Sequence, residues 1–279
     1  MSVASASIST FENSQKATAF PIGIFDSGIG GLTVLRQMMR AMPCESFVYL
    51  GDTARVPYGE KSSETIVRYS IENSIFLVER NIKLLVVACN TASACSLERL
   101  RALFRVPVVG VIEPAVEKAC LVTRNQKIAI LGTKGTIRTG VYQKEIQKRL
   151  PDARIFSIAC PLFVPFIEEG LIDHPALSLI AQEYLSQIER EGVDTVVLGC
   201  THYPFIYPLL QKMLGPNVVI IDSAHATAEA IASQLQCRSA VDTAELPPKY
   251  EFFVSDDPLR FQLVGEKFLG TPIHKVGML

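Results

Sequence analysis

From Phe20 onward, apolar runs of strand length alternate with amphipathic stretches of helical period. PIGIF leads into GGLTVLRQMMRAM, ESFVYLG into SSETIVRYSIENSIFLVERN, and KLLVVAC into TASACSLERLRALF. This alternation generates βαβ units, because a strand buried on both faces must be covered by a crossover helix before the chain can pair again in parallel. The pattern then restarts: KIAILGT precedes IRTGVYQKEIQKRL, and DTVVLGC precedes a helix through PFIYPLLQKML. The restart predicts two similar units. Ser27 and Cys89 mark strand ends in the first unit and Thr133 and Cys200 in the second, at intervals of 62 and 67 residues. An approximate duplication accounts for the match.

After NVVIIDS come a helical stretch, ATAEAIASQLQ, a polar linker containing Pro247 and Pro248, a strand KYEFFVS and a helix from Asp257 to Leu269. This tail is too short to form a third domain and is expected to pack back on one of the two units. The predicted fold is therefore α/β: two similar domains, each a mainly parallel sheet flanked by helices. The expected division is 20–113 plus 224–279 for the first and 114–223 for the second. Residues 1–19, rich in Ser, Ala and Thr without sustained periodicity, are expected to be a disordered tail.

Composition changes this picture mainly by exclusion. The 279 residues are 48% hydrophobic and carry 27 basic against 28 acidic side chains, a net charge of −1. With only 8% aromatic residues, the chain lacks the basic face and stacking rings of a nucleic-acid binder. The uncharged run from Ile155 to Ile167 falls short of the ~18 residues a spanning helix needs, so no membrane role is expected. The stretch from Met1 to Lys16 has neither a basic start nor an apolar middle, which predicts a cytoplasmic protein. Seven cysteines, at 44, 89, 95, 120, 160, 200 and 237, form an odd set without a C-x-x-C pair, so neither a disulfide framework nor a zinc ribbon fits.

Open parallel sheets bind ligands at the carboxyl ends of their strands, where amides at helix N-termini hold anions. Four segments fit that position: FDSGIGG at Asp26, ACNTAS at Cys89, LGTKGT at Thr133 and GCTHYP at Cys200. The first is not a dinucleotide fingerprint, since Thr33 stands where the third Gly belongs; its Asp26 and Ser27 also suit plain helix caps. One strand-end cysteine alone reads as a small buried hydrophobe. Two in corresponding settings, each opening a helix whose N-terminus stabilises a thiolate, read differently. Such thiols could bind a metal, form a redox pair, or carry protons on opposite sides of a substrate. Zinc would need ligands beyond His202, and redox pairs favour C-x-x-C, so two-sided proton transfer fits best, with no metal expected. His202 can tune Cys200, and Asp26 can tune Cys89. Glu168 and Glu169 end an apolar run as ordinary solvated carboxylates or as site groups, and Tyr58 and Gly59 read first as a turn after Pro57.

Six motifs, IGIFDSGIGGLTVL, GDTARVPYGEKS, VVACNTASA, VGVIEPA, LGTKGTI and LGCTHYP, occur in order along the chain from Phe20. In them the chain closely resembles the glutamate racemases of the cofactor-independent aspartate/glutamate racemase superfamily. The resemblance implies that Cys89 and Cys200 are the acid-base thiols, assisted by Asp26, His202 and a glutamate aligned with Glu168, the doublet leaving Glu169 as the alternative register. It implies that Asp26, Ser27, Tyr58, Gly59, Asn90, Thr91, Thr201 and His202 surround a glutamate substrate, with Thr133 and Thr136 adding hydroxyls. It further implies two α/β domains with the site between them, no cofactor, D-glutamate supplied for bacterial peptidoglycan, and homodimers, which are common among such proteins. Three rivals are weighed against this: a pyridoxal phosphate racemase using Lys134, an aspartate racemase of the same superfamily, and an amino-acid-binding module without catalysis.

Overall fold

The computed structural model describes residues 20–235 and 247–279; the expected tail at 1–19 and Cys237 lie outside the described residues. The first βα run comprises β1 (Ile22–Asp26), α1 (Leu32–Ala41), β2 (Phe47–Gly51), α2 (Ser63–Val78), β3 (Leu84–Val87), α3 (Asn90–Leu103) and β4 (Val108–Gly110). The second comprises α4 (Ile112–Val122), β5 (Lys127–Gly132), α5 (Lys134–Thr139), α6 (Val141–Arg149), β6 (Arg154–Ala159), α7 (Phe163–Glu168), α8 (Pro175–Glu191), β7 (Thr195–Gly199), α9 (Tyr207–Leu214) and β8 (Val219–Asp222). The chain closes with α10 (Ser223–Gln234), β9 (Tyr250–Val254), α11 (Pro258–Leu269) and β10 (Val276–Met278).

The strands form two wholly parallel sheets, ordered β10-β9-β2-β1-β3-β4 and β6-β5-β7-β8. Every residue of β1, β2, β3 and β7 is buried, which explains their unbroken apolar runs: helices cover both faces, so no polar alternation is required. Stripped of β9 and β10, the first sheet reads second-first-third-fourth, the order of the second sheet. The topology thus repeats where the sequence pattern restarts. In this order the chain reverses direction between the first strand and the third, and that reversal opens a crevice at their carboxyl ends. Asp26 ends β1, Cys89 lies two residues past the end of β3, Thr133 directly follows β5 and Cys200 directly follows β7. All four candidate segments therefore fall at the two crevices.

The C-terminal tail extends the first sheet: β9 pairs with β2, β10 pairs with β9, and α11 packs on α1. One apolar cluster runs from Ile22, Ile24 and Leu35 under the first sheet to Leu131, Val196 and Leu198 of the second, and includes Phe261 and Phe268 of α11. The chain crosses between sheets twice, from β4 into α4 and from β8 into α10, and α10 packs on both α1 and α4.

Three local expectations change. The helix read through IRTGVYQKEIQKRL is two helices, because Gly140 takes a left-handed conformation, φ +65°, and ends α5. The helix through PFIYPLLQKML begins as a 3₁₀ turn, Tyr203–Ile206. Asp26 and Ser27 do not cap α1, whose N-cap is Gly31 with no side-chain bond.

Candidate active site

Cys89 is the N-cap of α3: its Sγ accepts the Ala92 N–H at 3.5 Å, and its thiol donates to Ser27 Oγ at 3.6 Å. Asp26 stands beside it, wholly buried. Its Oδ2 accepts the Gly28 N–H at 2.9 Å, while Oδ1 has no hydrogen-bond partner among the described residues. Burial raises the Asp26 pKa against the opposing pull of the His202 charge. For Cys89, burial and then the Asp26 charge outweigh the Ala92 amide and Ser27 hydroxyl, and its pKa is pushed up to about 12. Cys89 therefore holds its proton at neutral pH.

Cys200 has a different neighbour. Its Sγ lies 3.9 Å from Nδ1 of His202, whose Nε2 lies 2.9 Å from Glu168 Oε1. Burial alone would lower the His202 pKa; hydrogen bonds to Cys200 and Glu168, with their charges, overcome it and lift the value to about 10. The same contacts hold Glu168 below its usual range despite burial, with help from the Arg260 charge. An imidazolium at this position places a positive charge beside the Cys200 sulfur. The doublet is thereby resolved in contact terms: Glu168 meets His202, while Glu169 is mostly exposed, 3.9 Å from Arg260.

The two strand ends are pressed together by a close backbone approach. A Cβ on Gly30 would fall 2.3 Å from Thr201 Oγ1 and 2.5 Å from His202 Cε1 and Nδ1, so only glycine permits this contact. Next to it, Thr33 Oγ1 donates to the Thr201 carbonyl at 2.9 Å. On the far side of Cys89, three hydroxyls form a triangle: Thr91 to Thr133 at 2.9 Å, Thr91 to Thr136 at 3.1 Å and Thr133 to Thr136 at 3.1 Å. Thr91 belongs to α3, whereas Thr133 and Thr136 belong to the start of α5, so the triangle joins the two sheets' strand ends. Gly59 lies against Thr133 and Gly135 of that same segment. Asn90 accepts the Tyr142 hydroxyl at 2.6 Å and donates to Ser223 Oγ at 3.4 Å.

Asp26 and Ser27 thus stand at Cys89, and His202 and Glu168 at Cys200, each thiol 6% exposed. The Tyr58 hydroxyl is engaged by Asp52. Lys134, the residue a Schiff base would need, makes a half-exposed ion pair with Glu60 at 3.4 Å. Among the described residues no group of three or more His, Cys, Asp or Glu is placed to hold a metal, and no helix is long and apolar enough to cross a membrane.

A family model described as Asp/Glu/Hydantoin racemase matches residues 32–231, a span that contains both thiols. The chain belongs to the Asp/Glu/hydantoin racemase family. A glutamate racemase of Geobacter metallireducens is 50% identical over 255 residues, covering 91% of this chain and 94% of the relative. A glutamate racemase isoform from Bacillus anthracis superposes with a TM-score of 0.88 at 37% identity, over 94% of this chain and 98% of that one. The Francisella tularensis glutamate racemase, solved in complex with D-glutamate, gives 0.85 at 36% identity, over 93% of this chain and 97% of that one.

Sequence reasoning missed three groups that hold the candidate site of this racemase in place. Asp52 is fully buried and takes both oxygens' worth of bonds from Arg55 Nε, at 2.9 and 2.7 Å, besides Ser255 at 2.9 Å and the Tyr58 phenol. Its position inside GDTARVPYGE was a signal, but its partner Ser255 lies 203 residues away. Tyr142 and Thr33 were equally hidden, because each acts on a partner far along the chain.

Proposed function

We propose that this chain interconverts L- and D-glutamate by passing the Cα proton between Cys200 and Cys89. One observation carries the reading: two thiols occupy matched strand ends of two sheets with the same strand order, in unlike surroundings. Beside Cys200 stands an imidazolium, while Cys89 retains its proton. A two-base racemase needs one sulfur to act as base and the other as acid. One sulfur removes the Cα hydrogen as a proton, leaving its electron pair on the substrate, and the other returns a proton to the opposite face.

The residues divide the remaining work. Thr91, Thr133 and Thr136 offer hydroxyl donors to a substrate carboxylate, which would replace their mutual bonds. Ser27, Asn90, Thr201 and the main chain of Tyr58 and Gly59 complete the enclosure, and the unpartnered Oδ1 of Asp26 is an acceptor for the substrate ammonium. As charge develops on the α-carboxylate, hydroxyls and helix N-terminal amides stabilise it in a site where water is scarce. His202 and Glu168 serve Cys200, and Asp26 serves Cys89, whose thiolate it disfavours until substrate arrives.

The reading extends to a division into 20–113 plus 224–279 and 114–223 with the site between, a cytoplasmic location, D-glutamate delivered to peptidoglycan synthesis, and a homodimeric assembly. The deciding experiment is incubation of each glutamate enantiomer in deuterated water without added cofactor. Both should interconvert, and the product should carry deuterium at Cα. Turnover only after adding pyridoxal phosphate, a preference for aspartate, or binding without Cα exchange would each refute the proposal.

A further inference from the structure

Asn90 directly follows Cys89, so the orientation of its carboxamide determines whether the substrate meets an N–H donor or a carbonyl acceptor beside the reacting centre. The two ends of that amide have different neighbours. One end meets the hydroxyl of Tyr142, 3% exposed on α6, at 2.6 Å; the other meets Ser223 Oγ, where α10 begins, at 3.4 Å. A separation of 2.6 Å suits O–H···O and is short for N–H···O, so the oxygen belongs on the Tyr142 side. Burial pushes the Tyr142 pKa far above its ordinary value, and the phenol keeps its proton as a donor at every working pH. With Oδ1 held there, one N–H of Asn90 reaches toward Ser223, and the second has no protein partner among the described residues.

We propose that Tyr142 is a positioning residue that holds the Asn90 carboxamide with its free N–H offered to a carboxylate of the substrate. The assignment rests on the reading of the site as a glutamate racemase. Its logic is competitive, because Ser223 can donate as well as accept. Without the phenol O–H, nothing rewards the native orientation, and a flipped amide gains a hydrogen bond from Ser223 to its oxygen. The flipped form then presents a carbonyl lone pair to an anionic substrate. Apparent affinity falls in proportion to the fraction of molecules still in the native orientation.

Tyr142→Phe removes one oxygen and keeps the ring, so the expected result is a specific kinetic one. KM for both enantiomers should rise about tenfold, equivalent to about 1.4 kcal/mol, with kcat within about threefold of wild type. Adding Ser223→Ala to Tyr142→Phe removes the reward for flipping, and the double variant should recover at least half of the lost affinity. A purely structural role for Tyr142 predicts the opposite, a second loss on top of the first. An unchanged KM in the single variant, or no recovery in the double, overturns the inference. Should the variants not fold, 15N-asparagine-labelled wild-type protein decides: the Asn90 side-chain amide resonance must shift on adding D-glutamate, and its indifference would equally overturn the assignment. Wild-type protein that neither binds nor exchanges glutamate would instead overturn the functional reading itself.

Discussion

Gly30→Ala tests whether the approach of the two strand ends sets catalysis. The new Cβ would sit 2.3 Å from Thr201 Oγ1 and 2.5 Å from two atoms of the His202 ring, where ordinary contacts begin at 3.4 Å. Relief therefore takes a displacement of about 1 Å, and neither neighbour yields easily. Thr201 is tied through its carbonyl to Thr33, and His202 is held by Glu168 at 2.9 Å and packs edge-on against Phe268, with centroids 5.3 Å apart. The shift must pass to the Cys200–His202 pair or to the separation of the strand ends. Misplacement of a reacting group by about 1 Å costs on the order of 100-fold in rate, and the overpacking itself costs about 1–3 kcal/mol of stability. Racemisation followed by circular dichroism gives the rate, and a thermal melt gives the stability. Gly265→Ala is the comparison: its Cβ would press, at 2.8 Å, on the terminal Cδ1 methyl of Leu32, away from the thiols, and it should alter stability without abolishing turnover. Gly30→Ala with kcat/KM within threefold of wild type and an unchanged melting temperature would sink the argument.

Further perturbations address the proposed proton carriers. In Glu168→Gln the imidazolium loses its anionic partner. The His202 pKa should fall from about 10, moving the alkaline limb of kcat/KM to lower pH. A raised histidine pKa adds stability that is complete below its unfolded value of about 6.5 and gone above about 10. The melting-temperature gap between wild type and variant should accordingly be widest near pH 6 and close by pH 10; a pH-independent gap would contradict the ion pair. Cys89→Ser and Cys200→Ser should each lower racemisation at least about 1,000-fold in both directions. With a substrate bearing a β leaving group, Cys89→Ser should still eliminate from the L form and Cys200→Ser from the D form. Cys95→Ser, which alters only a half-buried thiol 3.8 Å from Ser63 Oγ, should remain active; inactivity there without loss of stability would count against the two-thiol mechanism.

What the sequence reveals here follows burial. Strands β1, β3, β5 and β7 are legible because parallel strands covered on both faces need unbroken apolar runs, each ending in a small polar or thiol residue. Strand β6 is an edge: none of its residues is fully buried, so RIFSIA merges with the apolar run that continues to Ile167. Strand β4 is three residues long, too short to show a period. Helix α8 displays its spacing plainly at Leu177, Ala181, Leu185 and Ile188, yet it contributes no site residue and so draws no attention. The choice between Glu168 and Glu169 is one of helix phase, and α7 has only six residues from which to read it. Asp52, Thr33 and Tyr142 escape for a different reason: a carboxylate, a threonine and a tyrosine look ordinary until folding brings Ser255, Thr201 and Asn90 to them.

The unlike surroundings of the two thiols meet a limit set by the reaction rather than by the protein. Mirror-image substrates in water have identical free energies, so the equilibrium constant is one, and kcat/KM must be the same in both directions. The imidazolium beside Cys200 and the high pKa of Cys89 cannot favour either product at equilibrium. They can only trade kcat against KM, so that the enantiomer bound more tightly is turned over more slowly by the same factor. The built-in lopsidedness is therefore free to set which enantiomer saturates the enzyme first in a cell that consumes only one of them.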